Sequence, residues 1–143
     1  MSTHPVNKGE VLYINPAGLH NNPAFSQVIA VSGPVKTVYV GAQGATDANG
    51  NLVGEGDIKA QTEQVLKNVQ IALEASGAAL EHIIKWNIYI TEGQPIQGAF
   101  EVAMRFWGHQ PNVPANTVMC VSSLVPPVFL VAIEAIAVVP LEA

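Results

Sequence analysis

The chain has 143 residues, 49% of them hydrophobic and 12% charged, with a net charge of −5 and six Lys and Arg in total. That length builds one ordinary domain around a single core, six basic residues leave no positive stripe for a nucleic-acid backbone, and every apolar run stops well short of the roughly 20 residues of a membrane-spanning helix. An average soluble domain is about one quarter charged, so the shortage here points to surface hidden between subunits of a homo-oligomer.

The whole chain, 1–143, reads as one domain in which residues 1–10 form a loose leader. MSTHPVNKGE has no apolar h-region, and the single cysteine, Cys120, excludes an internal disulfide and fits a reducing compartment, so the expected location is the cytoplasm. Val11–Ile14 is a short strand, followed by a Pro/Asn/Gly loop over Asn15–Ala24. Val28–Val31 and Thr37–Val40 are β-rich and joined by Ser32-Gly33-Pro34, which predicts a hairpin. Gly41–Gly56 is glycine-rich but matches neither the Walker spacing nor the dinucleotide fingerprint. Its Asp47-Ala48-Asn49-Gly50 is turn chemistry, with Asn-Gly supplying positive φ.

Asp57 is placed as the N-cap of a helix over Ile58–Ser76. Its apolar stripe is Ile58, Val65, Leu66, Val69, Ala72 and Leu73, and Gly77 supplies the C′ position. Ile83–Ile90 alternates as a strand, with Lys85, Asn87 and Tyr89 on one face and Trp86, Ile88 and Ile90 on the other. Pro95 opens a second helix to Trp107, with Ile96, Ala99, Phe100, Ala103, Phe106 and Trp107 as its stripe. Two Val/Ile-rich runs follow, Val113–Val121 and Val128–Val139, read as strands buried on at least part of both faces. The order β-β-β-α-β-α-β-β predicts an α+β fold: a single mixed sheet of about six strands with both helices on one face. The other face would be bare, and subunits packing through their sheets would cover it.

Chemistry-bearing residues are few. Of the four histidines, His4, His20, His82 and His109, none has metal-ligand spacing to a Cys, Glu or second His, so no metal is expected. Nor does any motif call for a cofactor. His82 and His109 fall at element ends, which leaves His20, in the Asn/Pro loop, as the histidine to keep as a pocket candidate. Cys120 in an apolar strand behaves more often as a small hydrophobe than as a nucleophile. Glu134 in VAIEAIAVV reads either as a general acid or base with a burial-raised pKa or as an interface carboxylate held by hydrogen bonds. Asn116 offers an amide that orients a carbonyl or carboxylate.

The segments PAFSQVIAV (23–31), VYVGAQGATDANGNLVG (38–54), GDIKAQTEQVLKNVQIALEASGAALEHIIK (56–85) and LVAIEAIAVV (130–139) carry a resemblance to the RidA/YjgF family of reactive-intermediate deaminases. The resemblance covers about residues 20–140. It implies a chorismate-mutase-like α+β subunit and a homotrimer with sheets facing inward and small-molecule sites at the subunit clefts. It further implies hydrolysis of enamines and imines to keto acids and ammonia, by an arginine that grips the substrate carboxylate and a glutamate that positions water. Carried over by position, Asn116 stands where the family has that arginine and Ala132 where it has that glutamate. Phe25 replaces a tyrosine, Phe100 an asparagine and Val118 a cysteine, while Gly41 occupies a backbone-donor position that is often serine. Glu134 matches the family's second, non-catalytic glutamate.

The expected ligand site is therefore an inter-subunit cleft lined by Phe25, Gly41, Phe100, Asn116, Val118 and Ala132, suited to a neutral or aromatic molecule. The expected protein is a divergent deaminase or related C–N hydrolase, not an ordinary 2-iminopropanoate deaminase, with His20 and Glu134 as leading candidates to activate water. The alternative is a non-enzymatic trimer that binds a metabolite or a partner.

Overall fold

The computed structural model describes residues 8–142. These residues hold six strands and two α-helices: β1 (Glu10–Ile14), β2 (Val28–Ser32), β3 (Val35–Gln43), α1 (Ile58–Glu74), β4 (Ile83–Thr91), α2 (Ile96–Trp107), β5 (Ala115–Val121) and β6 (Val131–Pro140). β1 and β2 form their own antiparallel pair, and the other four strands form a mixed sheet in the order β3-β6-β4-β5. β6 runs antiparallel to both β3 and β4, while β4 and β5 are parallel and joined through α2.

The expected hairpin between the second and third strands does not form. Gly33, at φ 79°, turns the chain, but β2 pairs with β1 and the longer β3 pairs with β6 from Val35 opposite Pro140 to Gln43 opposite Ile133. Nine residues of β3 find a partner of ten in β6, where β2 offers only five. Lys8, Gly9 and Glu10 are not loose either. Lys8 bridges to Glu142 and the Gly9 N–H donates to the Leu141 carbonyl at 2.9 Å. Residues 1–7 of the expected leader lie outside the described residues.

α1 begins where the cap chemistry places it. The Asp57 carboxylate accepts from the N–H groups of Lys59 and Ala60 at 3.0 and 3.2 Å, which satisfies two otherwise orphan donors. It ends before Gly77, at φ 78°, with the Ala78 N–H reaching back to the Leu73 carbonyl. Val65, Leu66, Val69 and Leu73 are fully buried against Ile83, Ile90, Val131 and Ile133. Trp107 of α2 packs on Trp86 of β4 with ring centroids 5.4 Å apart and a 58° tilt.

Two buried residues of α1 are polar, which its apolar stripe does not announce. Gln61 donates to the carbonyls of Gly54 and Val128 at 3.1 and 3.0 Å and accepts from the Leu130 N–H at 2.8 Å. Its one amide thus ties the helix to the loop entering β6. The Thr62 hydroxyl donates to the Ile58 carbonyl at 2.7 Å. Gly44 leaves room for the ring of Phe129, whose nearest atom lies 2.3 Å from where a Cβ would stand.

Two expectations about burial change. In α2, Val102 is buried, whereas Ile96 and Phe100 stand about half exposed. β5 is mostly exposed rather than buried, because it is an edge strand paired only with β4. The sheet face away from the helices is open, as expected: Tyr39 is 78% exposed there.

Candidate functional site

The residues singled out from the sequence fall into two groups, one on each face of the four-stranded sheet. On the helix side, α2 and the edge strand β5 enclose a cavity of about 50 Å³ lined by Phe100 and Val118 together with Thr62, Ile88, Ala99 and Ile133. The wall is hydrocarbon apart from the Thr62 hydroxyl, which is already committed to a backbone carbonyl. Asn116 lies two residues before Val118 in β5, on the same strand face by alternation. Its neighbour Thr117 faces the other way, accepting from Lys85 Nζ at 2.8 Å.

Phe25 is held at the entry to β5. The next residue, Ser26, is buried and donates twice: its N–H to the Pro114 carbonyl at 3.2 Å and its hydroxyl to the Val113 carbonyl at 2.6 Å. His20 sits on the exposed loop before it, where its carbonyl accepts from Gln27 Nε2 at 2.6 Å. Cys120 is exposed on the Val118 face of β5 rather than packed as a small hydrophobe, a consequence of the edge position.

On the open face, Gly41 and Glu134 share a hollow of about 290 Å³ with Tyr39, Lys85, Asn87 and Ile136. Ala132 stands two residues before Glu134 on that face, opposite Tyr89 of β4. Glu134 Oε1 accepts from Asn87 Nδ2 at 2.8 Å and from the Tyr89 hydroxyl at 2.7 Å. These donors, Asn87 first, hold its carboxyl below the ordinary carboxylate range. The expectation of a burial-raised pKa is therefore corrected: Glu134 is an ionised acceptor at neutral pH, with no proton to give as a general acid. The hydrogen bond that Tyr89 donates to Glu134 holds the proton on its phenol and pushes its pKa up.

Asn87 and Tyr89 are the site residues that sequence reasoning leaves out. Their alternation with Lys85 was visible, but their approach to Glu134 depends on the β4–β6 register, which sets Asn87 opposite Glu134. His20 lines neither the open-face hollow nor the cavity under α2, so it does not join Glu134 there. Among the described residues no group of three or more His, Cys, Asp or Glu is placed to hold a metal ion. No helix among them is long and apolar enough to cross a membrane.

Residues 19–139 match the family described as endoribonuclease L-PSP. A RutC family protein of Pyrococcus abyssi is 31% identical over 90% of this chain and 95% of its own length. A 2-iminobutanoate/2-iminopropanoate deaminase of Dermatophagoides farinae is 30% identical over 80% of this chain and 85% of its own. Among solved structures, a Rid-family protein of unknown function from Yersinia pestis superposes with a TM-score of 0.79 at 29% identity, covering 90% of this chain and 98% of that one.

Proposed function

The chain belongs to the Rid (RidA/YjgF) family and has its chorismate-mutase-like fold, and from that premise we propose a small-molecule site built between copies of the chain in a homotrimer. One observation carries the reading. Phe100, Asn116 and Val118 stand on one side of the sheet while Gly41 and Ala132 stand on the other. A single chain does not bring them together. A second copy whose open face meets the β5 edge does, and it covers the apolar open face in the same step.

The reaction that fits the family is hydrolysis of an enamine or imine. Water adds its oxygen to the imine carbon and a proton to nitrogen, and the resulting carbinolamine expels ammonia to leave a carbonyl. The mite relative's name supports this class of chemistry. Glu134, ionised and oriented by Asn87 and Tyr89, is the better placed of the two candidate groups to hold such a water. His20 is the alternative, from the loop before Phe25. With Asn116 and Ala132 in place of a cationic clamp and a second carboxylate, 2-imino acids are poor substrates. Loss of a buried charge-assisted grip weakens binding by about a hundredfold or more.

That same substitution favours a second reading, a trimer that binds a neutral metabolite or a partner without turnover. RNA cleavage, which the family description names, finds no support in the charge. Net charge is −5, and Lys59, Lys67 and Arg105 are spent on Glu101 and Glu63.

The test is ammonia release from 2-aminoacrylate generated in situ by a pyridoxal-phosphate lyase. Turnover about a hundredfold below that of an arginine-bearing relative is expected, and equal turnover overturns the reading of Asn116. Asn116→Arg combined with Ala132→Glu is expected to raise the rate.

A further inference from the structure

We infer that the Tyr89 hydroxyl is a catalytic proton relay: it accepts a proton from the attacking water as it passes its own to Glu134. The inference rests on the proposed imine hydrolysis and names a further group that carries it.

Position comes first. The β4–β6 register sets Tyr89 directly opposite Ala132 and Asn87 opposite Glu134. All four belong to the open face, since residues two apart on a strand share a side. Tyr89 is thus the cross-strand neighbour of Ala132, the residue that the two-copy site draws into its cleft, and its hydroxyl reaches along the sheet to Glu134 Oε1 at 2.7 Å. Ala132 is 9% exposed on a face where Tyr39 is 78% exposed, which fits a phenol ring lying across it. Hydrogen bonding comes second. A phenol has one hydrogen to give and lone pairs to accept with. The Tyr89 hydrogen goes to Glu134, so toward a water in the cleft Tyr89 is an acceptor. Glu134 Oε1 already accepts from Asn87 and Tyr89, and Oε2, with no side-chain donor among the described residues, is left for the N–H of a protonated imine.

The resting pair is set for this transfer. Asn87 and Tyr89 hold Glu134 ionised, and the bond to Glu134 keeps the proton on Tyr89. The other titratable groups on the hollow are Lys85 and Tyr39. Lys85 turns to Thr117 on the far side of β4 and makes no ion pair with Glu134 among the described residues. Tyr39 stands exposed on β3. The proton steps balance. The water oxygen bonds to the carbon of the protonated imine, the C=N π pair moves to nitrogen, one water proton goes to the Tyr89 oxygen and the Tyr89 proton goes to Glu134. The carbinolamine nitrogen then takes that proton back through the same two groups. Its C–N bond breaks with the pair leaving on ammonia, while the hydroxyl proton returns through Tyr89 to Glu134 and a carbonyl forms. Ammonia takes the proton from Glu134, departs as ammonium and restores the pair. A carboxylate of low basicity suffices because a protonated imine is a strong electrophile.

The experiment follows keto-acid formation from 2-aminoacrylate, generated in situ by a pyridoxal-phosphate lyase, with the full chain, Tyr89→Phe, Glu134→Gln and the double variant. Tyr89→Phe keeps the ring and removes only the hydroxyl, and its circular-dichroism spectrum is compared with that of the unaltered chain. It is expected to lower kcat about a hundredfold while KM stays within about twofold. The double variant is expected to fall no further than the lower single one, because the two groups act as one unit. In mixtures of H2O and D2O, the kcat of the unaltered chain is expected to curve against deuterium content, since more than one proton moves in the step. Full kcat in Tyr89→Phe, or a double-variant loss equal to the product of the single losses, overturns the relay and leaves the hydrolytic reading standing. A linear deuterium dependence of the unaltered chain does the same without any variant. If the unaltered chain adds nothing to the spontaneous rate, the hydrolytic reading falls and the relay with it.

Discussion

Gln61 is the residue on which the inner wiring most depends. It is fully buried and meets three backbone groups from two loops. Gln61→Leu keeps the volume but strands the Leu130 N–H and two carbonyls. Each stranded group costs about 1–3 kcal/mol, so a loss of about 3 kcal/mol is expected as a lower urea midpoint with an unchanged slope. Glu134 behaves differently because it lies on the open face. Its folded pKa is below the ordinary value, so the fold favours the ionised form. The stability this contributes is present above the ordinary carboxylate range and is lost as pH falls through the folded pKa. Glu134→Gln should therefore reduce stability at neutral pH and flatten that part of the acid unfolding curve, read by circular dichroism against pH. Neither role is legible from the residue alone: a Gln on a helix and a Glu in a strand acquire these partners only when distant segments close on them.

At the scale of elements, the helix ends were the most legible part of the chain, because caps are local chemistry. Asp57 caps α1 as read, and Asp57→Ala should cost about 1 kcal/mol in thermal or chemical unfolding. Which face of α2 is buried was less legible. Periodicity alone gives a stripe but not its centre, and the sheet below selects Val102 over Phe100. Val102→Ala should destabilise the subunit by about 1–2.5 kcal/mol, in line with two methyls lost from a packed core. Phe100→Ala should disturb subunit stability less, because Phe100 is 44% exposed. β5 shows the limit of reading strands from composition. ANTVMCV has the apolar content of an interior strand, yet its place beside β4 alone leaves it at an edge, where the open backbone and half-exposed side chains are available to a second copy.

For the molecule as a whole, the open face decides the behaviour. Tyr39 and Ile136 flank a hollow that also holds Lys85, Asn87 and Glu134, an apolar surface set around a few fixed polar groups. In the proposed trimer this face is interior. Tyr39→Asp or Ile136→Asp should then lower the molar mass measured by light scattering from three chains to one. A species already monomeric before substitution would contradict the assembly.

The sequence by itself determined the elements and their order, the caps and the single core. These are local properties, set by side-chain chemistry and by periods of two and 3.6 residues. Only the tertiary structure decided that β3 takes β6 rather than β2 as its partner, that β5 is an edge, that Glu134 is held ionised by Asn87 and Tyr89, and that the expected pocket residues lie on opposite faces of one sheet. Each of those depends on strand register and on which segments meet across long stretches of chain, and a residue's neighbours along the sequence carry no record of them.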